Sequence, residues 1–376
     1  MSARLKALHA AGQSIWLDYI DRGMLHDGDL ERRIREDALT GMTSNPTIFE
    51  KALAEGAHYD TQLAAAEAGL SAWELFEPVE TEDVRRACDL FLPLYRQTNG
   101  KDGYVSIEVS PGVAEDPDAT IEEGRRLWAT VARPNVMIKV PGTEAGARAV
   151  RTLLADGINV NVTLLFSVEA HRRVIEAYLD ALEQRAAAGQ PVDRVASVAS
   201  FFISRVDSEV DKRLDAIVAQ LPEERRAYVA QLKGKAAIAN AKLAYRLFQS
   251  LFSGPRWDAL AARGAMVQRP LWASTSTKNP AYRDVLYVEQ LVGPDTVNTM
   301  PPATLEAFRD HGETARTVDA DVDAAERVLA DLEALGVSMT AVTDKLLSEG
   351  IASFQKSFDG LLARLERRVA DLAGAR

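Results

Sequence analysis

Val136-Met137-Ile138-Lys139-Val140, then Thr143–Asp156 (TEAGARAVRTLLAD), then Asn159-Val160-Asn161-Val162-Thr163-Leu164-Leu165 is the stretch on which the fold turns. The two outer segments are short, β-branched and apolar, which suits buried strands. The middle one carries Ala147, Val150, Leu153 and Leu154 at helical spacing and is long enough only for a helix. Strand, helix, strand in close succession is the unit that joins two parallel strands by a crossover. The same alternation runs through the chain. Candidate strands are Ser14–Ile20, Gly41–Ser44, Tyr104–Val109, Val136–Val140, Asn159–Leu165, Val195–Phe202, Pro270–Ser274 and Thr296–Thr299. Helical patterns over Thr81–Tyr95, Ala119–Ala132, Thr143–Asp156 and Ser167–Ala188 separate them. The Pro- and acid-rich segment Val113–Glu123 is expected to be a loop leading into a helix. Eight strands alternating with helices predict an α/β protein whose parallel sheet closes into a single (β/α)8 TIM barrel. A doubly wound open sheet is the alternative, but no glycine-rich dinucleotide fingerprint follows the first strand.

Two further regions are mainly helical. Gln231–Phe252 places Lys233, Lys235, Lys242 and Arg246 on its polar positions, and Ala320–Leu372 divides near Gly336–Ser338. Solvated charged faces with apolar sides packed on the barrel are the expected arrangement. Residues 1–376 are therefore expected to form one domain, with a helical C-terminal extension over about 320–372.

Composition narrows the function classes. The 376 residues are 47% hydrophobic and carry 44 Lys+Arg against 55 Asp+Glu, a formal charge of −11. That balance argues against bulk binding of nucleic acid or an anionic membrane, while leaving room for a small anion held by a few local cations. Cys88 is the only cysteine, and His9, His26, His58, His171 and His311 stand in no metal-ligand spacing, so neither a metal nor a cofactor is expected. The N-terminal segment has no signal-peptide pattern and no apolar stretch reaches membrane-spanning length. A cytoplasmic protein is the expectation.

Lys139 is the anomaly inside this pattern. An ammonium in a short apolar strand is uncommon, and burial lowers a lysine's pKa toward the neutral, nucleophilic amine. A carbonyl carbon is that amine's natural target. The competing explanation is a strand-end lysine that snorkels to water or pairs with a carboxylate. Strand alternation extends the argument. Lys139 shares a face with Met137; Glu108 with Ser106 and Ser110; Asn161 and Thr163 with Asn159; Asp18 with Ser14 and Trp16. Ser200 and Phe202 share one parity on the sixth strand, Trp272 and Ser274 another on the seventh, and Arg205 follows the sixth. One interior thus collects Asp18, Glu108, Lys139, Asn161, Thr163 and Ser200. Several of these lie near the C-terminal strand ends, where barrel active sites are built. A structural ion-pair network of Lys139 with Glu108 is the alternative reading of the same set.

These residue types can run metal-free carbon–carbon chemistry. A lysine amine adds to a ketone and loses water to give an imine. Once protonated, the imine draws electrons from a neighbouring carbon–carbon bond, which breaks to an enamine. Asp18 or Glu108 can remove the proton from the departing hydroxyl. Arg205 and Lys278, after the sixth and seventh strands, are candidates to hold a phosphate at the barrel mouth, though each also fits an ordinary surface cation.

Five segments together resemble the transaldolase family: Thr43-Ser44-Asn45-Pro46-Thr47-Ile48-Phe49, Met137-Ile138-Lys139-Val140-Pro141, Gly157–Ser167 (GINVNVTLLFS), Ser200-Phe201-Phe202-Ile203-Ser204-Arg205 and Leu271-Trp272-Ala273-Ser274-Thr275. Their order and spacing agree from about Asp18 to Met300, and the chain length resembles the longer bacterial members. The resemblance implies transfer of a dihydroxyacetone unit in the non-oxidative pentose phosphate pathway. The donor would be sedoheptulose 7-phosphate or fructose 6-phosphate, and the acceptor glyceraldehyde 3-phosphate or erythrose 4-phosphate. It implies that Lys139 forms the Schiff base and that Asp18 takes the hydroxyl proton in cleavage. Glu108 and Thr163 would hold a catalytic water, while Asn45 and Asn161 would bond the dihydroxyacetone unit. Ser200 and Phe202 would line the substrate pocket, with Arg205 and Ser274 as phosphate contacts.

The chain departs from the family pattern at Ser276, where shorter members have a second arginine; Lys278 is the candidate replacement, as a point charge rather than a bidentate fork. Related fructose 6-phosphate aldolases have tyrosine at the position of Phe202, and phenylalanine, lacking a phenolic proton donor, favours transfer over release. A dihydroxyacetone-releasing aldolase and a non-catalytic sugar-phosphate binding protein remain the other two readings. Monomer and homodimer both fit the sequence.

Overall fold

The computed structural model describes residues 2–55, 58–65 and 69–374. Eight parallel strands close on themselves in sequence order: β1 Gln13–Asp18, β2 Leu39–Thr43, β3 Tyr104–Glu108, β4 Val136–Pro141, β5 Val160–Leu165, β6 Ser197–Phe202, β7 Arg269–Ala273 and β8 Thr296–Met300. Closure excludes the open doubly wound sheet and establishes the (β/α)8 architecture. Ile107 and Ile138 sit opposite each other across the β3–β4 pair, as do Val140 and Val162 across β4–β5. All four are buried beneath the surrounding helices, as the even-handed alternation of a barrel strand requires.

The lower interior is filled by side chains of unequal size. Trp16 from β1 occupies the space opposite Gly41 of β2, where a Cβ would collide with the indole. The Trp16 indole N–H donates to Asp102 Oδ1 at 2.9 Å, and Arg269 donates to Ser14 Oγ at 2.6 Å while lying 3.6 Å from the Asp102 carboxylate. This buried polar plug closes the barrel below the site with its charges paired.

The helices between strands match the expected patterns closely. Glu144–Ala155 starts on Thr143, whose hydroxyl accepts from Gly146 N, and Val168–Ala187 starts on Ser167, which accepts from Ala170 N. Such caps satisfy backbone donors left over at a helix start. The expected helix Thr81–Tyr95 is longer, running Ala72–Gln97 through Pro78 and Pro93. Each proline removes one helical hydrogen bond, but the buried face of Leu75, Phe76, Val79, Val84, Ala87 and Phe91 holds the helix on. The C-terminal region is two helices, Val322–Ala334 and Met339–Gly374, as the sequence predicts. The Gln231–Phe252 segment is helical only over Ala236–Leu251, and Lys242 is buried there rather than solvated, its Nζ donating to the Ala320 carbonyl at 2.7 Å.

The long helix Met339–Gly374 crosses the C-terminal face of the barrel, where it meets the helix Pro46–Glu55 that follows β2. Among the described residues, no helix is long and apolar enough to cross a membrane.

Candidate active site

The strand ends supply the charged groups. In register, Asp18 lies opposite Thr43, Glu108 opposite Lys139, and Lys139 opposite Asn161. The inward set expected from alternation is therefore brought to one level of the barrel. A cavity of about 490 Å³ opens above it, bounded by Asp18, Thr43, Asn45, Lys139, Thr163, Ser200, Phe202, Arg205, Ser274, Lys278 and Thr299. Its size suits a small-molecule ligand.

Lys139 is 4% exposed. Its Nζ donates to Glu108 Oε2 at 3.0 Å and to the Ser44 carbonyl at 3.1 Å. The carboxylate pairing raised at the sequence level is thus present, yet the amine also borders the open cavity. Burial raises the Glu108 carboxyl's pKa against the opposing pull of Lys139. Asp18 stands across the site. Its Oδ1 accepts from the Thr43 hydroxyl at 2.8 Å, and Thr43 lies 2.7 Å from the Thr299 hydroxyl. Burial raises the Asp18 pKa, while Lys139, the Thr43 bond, Lys278 and Arg205 pull it down. Two carboxyls with raised pKa values flanking an amine are suited to moving protons.

The polar wall divides into engaged and unengaged groups. Asn161 is engaged and does not line the cavity: its Nδ2 donates to Ser106 Oγ at 2.9 Å and its Oδ1 accepts from Ser200 Oγ at 2.6 Å. Glu108 also sits behind Lys139 rather than on the cavity surface. Thr163 Oγ1 is buried with no partner among the described residues, and such a hydroxyl is costly unless a water or ligand meets it. Asn45 Oδ1 accepts from Ile48 N at 3.0 Å, fixing the start of Pro46–Glu55.

Two residues at the rim have left-handed backbone conformations without being glycine. Leu164, next to Thr163, has φ 58° at an irregularity in the β5–β6 pairing, and Ser274, just past β7, has φ 56°. Each conformation costs about 1–3 kcal/mol and persists only where the surroundings hold it. At Ser274 it has a clear consequence. Trp272 points outward onto Phe201, so strict alternation from it would also turn Ser274 outward. The left-handed turn instead brings Ser274 to the cavity, with its Oγ 2.9 Å from Ser204 Oγ.

The far end of the cavity is cationic. Arg205 leans over the Phe202 ring at 5.3 Å, and Lys278 donates to Ser276 Oγ at 2.8 Å. Lys51, on Pro46–Glu55, lines the same end. None of the three pairs with a carboxylate among the described residues, and Lys278 is pushed to lower pKa by burial and by the nearby charges of Arg205 and Lys51. Unpaired cations gathered at one end of a cavity, in a chain of net charge −11, suit an anionic group.

Sequence reasoning missed Thr43, Thr299, Lys51 and Phe354. Thr43 and Thr299 share the inward alternation of their strands and were findable by it. Lys51 and Phe354 reach the site from helices and carried no such signal.

A larger cavity, about 610 Å³, opens at the N-terminal end of the barrel beside Arg269 and Tyr104. Arg269 there is already committed to Asp102 and Ser14. Among the described residues, no group of three His, Cys, Asp or Glu side chains is placed to hold a metal ion.

Residues 15–365 match the family model described as transaldolase/fructose-6-phosphate aldolase. The chain is 49% identical over 372 residues to a transaldolase of Thermobifida fusca (strain YX), covering 98% of this chain and 99% of that one. It is 46% identical to a transaldolase of Trichodesmium erythraeum (strain IMS101) over 96% of each chain. It is 47% identical to "Transaldolase 2" of Nostoc sp. (strain PCC 7120 / SAG 25.82 / UTEX 2576) over 95% of each. With the closed barrel, the buried lysine and the two carboxyls at its C-terminal mouth, this chain belongs to the transaldolase/fructose-6-phosphate aldolase family.

Proposed function

We propose that the protein is a Schiff-base transaldolase, a transferase that moves a dihydroxyacetone unit from a ketose phosphate to an aldose phosphate. The observation that carries this reading is the Lys139 amine at the floor of a cavity, flanked by Asp18 and Glu108 and faced at the far end by Arg205, Lys278 and Lys51. An amine and a cluster of cations lining one cavity suit a sugar that carries both a carbonyl and a phosphate.

Each residue then has a task. Glu108 accepts the proton that Lys139 sheds, leaving the amine free to attack the ketone carbonyl. Thr163, whose hydroxyl has no partner among the described residues, holds the water expelled and later consumed at the imine. Asp18 removes the proton from the hydroxyl on the carbon being released, and the carbon–carbon bond breaks toward the protonated imine. The aldose phosphate departs and the enamine waits on Lys139. An incoming aldehyde takes the reverse path, with Asp18 returning the proton to the new hydroxyl. Asn45 and Ser200 bond the hydroxyls of the three-carbon unit, and Asn161 acts through Ser200. Arg205, Ser274 and Lys278 hold the phosphate, Lys278 standing in for the arginine absent at Ser276.

Fructose 6-phosphate and erythrose 4-phosphate together should yield sedoheptulose 7-phosphate and glyceraldehyde 3-phosphate. Dihydroxyacetone formed at full rate without any aldehyde would instead mark an aldolase. Tight binding of sugar phosphates without product or label exchange would mark a binding protein. Phe202 favours transfer: it lines the cavity under Arg205 and offers no hydroxyl to protonate the enamine.

A further inference from the structure

Among the described residues, the C-terminal helix Met339–Gly374 sends a single side chain into the cavity, that of Phe354. The ring centroid lies 5.8 Å from Lys139 Nζ, and the residue is 6% exposed. The helix is held down on both sides of this contact. Before it, Gly350 passes so close to β5 that a Cβ would come within 3.0 Å of the Leu164 side chain. After it, Thr47 donates to Ser357 Oγ at 2.8 Å, and Phe358 packs on Trp73 with ring centroids 5.5 Å apart. Both anchors involve segments of the site itself: Leu164 adjoins Thr163, and Thr47 lies two residues past Asn45. An apolar ring is therefore fixed above the nitrogen that carries every covalent intermediate.

We propose that Phe354 is a specificity-determining residue that sets the partition between transfer and release. The inference rests on the transaldolase reading above. The enamine on Lys139 has two fates. In transfer, its nucleophilic carbon forms a bond to the aldehyde carbon of an acceptor and the aldehyde oxygen takes a proton. In release, the same carbon takes a proton from solvent, giving the protonated imine; water then adds to the imine carbon, the carbon–nitrogen bond breaks toward nitrogen, and free dihydroxyacetone leaves. Release needs a proton source at the carbon, whereas the productive cycle needs only the one water beside Thr163. Phe354 covers the cavity side of the amine, where bulk water would otherwise reach the enamine. Its ring face also favours the positive charge that the protonated imine keeps at this nitrogen, and its apolar bulk excludes side reactions of the intermediate.

The test compares wild type with Phe354→Ala and Phe354→Leu in two assays. One measures transfer from fructose 6-phosphate to erythrose 4-phosphate; the other measures dihydroxyacetone formed without an acceptor. Phe354→Ala should raise the release-to-transfer ratio by about tenfold, because opening the site to water admits proton leakage to the intermediate. Phe354→Leu, which keeps an apolar cover, should stay near the wild-type ratio. Two results would overturn the proposal: both rates falling together in Phe354→Ala with the ratio unchanged, or Phe354→Leu leaking as freely as alanine. If wild type itself transfers nothing, it is the transaldolase reading that fails, and that outcome is distinct from an unchanged ratio in an active enzyme.

Discussion

Lys139 Nζ lies 3.0 Å from Glu108 Oε2, and the two residues face each other across the β3–β4 pair. The proposed nucleophile and its proposed proton acceptor are therefore set by sheet register rather than by a loop. Replacing Glu108 by Gln keeps the shape and removes the acceptor. Imine formation, read as the rate of borohydride trapping with fructose 6-phosphate, should fall by about 10²–10⁴-fold, the usual contribution of a general base. An unchanged trapping rate would assign Glu108 to structure alone.

In the proposed mechanism Asp18 acts one step later. Asp18→Asn should still form the trapped adduct but should cleave donor about 10²–10⁴-fold more slowly. Equal loss of both steps would contradict the separate role given to Asp18.

The Thr43 hydroxyl lowers the Asp18 pKa while burial raises it. Cleavage needs the carboxylate, so kcat/KM should fall as pH drops through the raised Asp18 value, above the roughly 3.9 of an ordinary aspartate. Thr43→Val removes a bond that stabilises the charged form. Its acid limb should move to higher pH, and a limb that stays or moves to lower pH would contradict this assignment.

The loop carrying Ser276 and Lys278 is tied to the helix Ser204–Val218 by two phenols. Tyr282 donates to Asp211 Oδ2 at 2.5 Å and Tyr287 to Asp207 Oδ2 at 2.8 Å. Lys278→Ala should raise KM for fructose 6-phosphate by about 10–100-fold, the worth of a charged hydrogen bond, and leave reaction with unphosphorylated dihydroxyacetone unchanged. Tyr282→Phe should give a smaller rise in the same direction with kcat retained. A fall in kcat without a KM change would place this loop elsewhere in the reaction.

How much of this was legible in the sequence differs by element. All eight strands were, because parallel barrel strands are buried on both faces and leave continuous apolar runs. The inward polar groups Asp18, Glu108, Lys139, Thr163 and Ser200 were legible because alternation has a fixed period. Ser274 reached the site for a reason alternation does not contain, a left-handed residue just past the strand. Asn161 had the right parity and lies level with Lys139, its carboxamide held between Ser106 and Ser200. Phe354 and Lys51 were invisible, since an aromatic or a lysine on an amphipathic helix looks the same whether it meets core, solvent or substrate.

Glu80, on the helix Ala72–Gln97, is buried, and its pKa is raised well above the usual value by that burial and then by Glu123, Glu108, Glu77 and Asp83. The folded protein therefore holds a proton here that the unfolded chain releases above pH about 4.3. Stability is lost as pH rises from that point toward the folded pKa. Glu80→Gln removes the dependence. Its melting temperature relative to wild type should improve between pH 4 and pH 8, and a constant difference would show that Glu80 ionises freely.

The most direct measurement is borohydride reduction in the presence of fructose 6-phosphate, followed by peptide mass spectrometry. The account predicts one dihydroxyacetone-derived adduct, on Lys139, and none in Lys139→Ala. An adduct on Lys278, Lys51 or any other lysine, or no adduct in the wild-type protein, would contradict it.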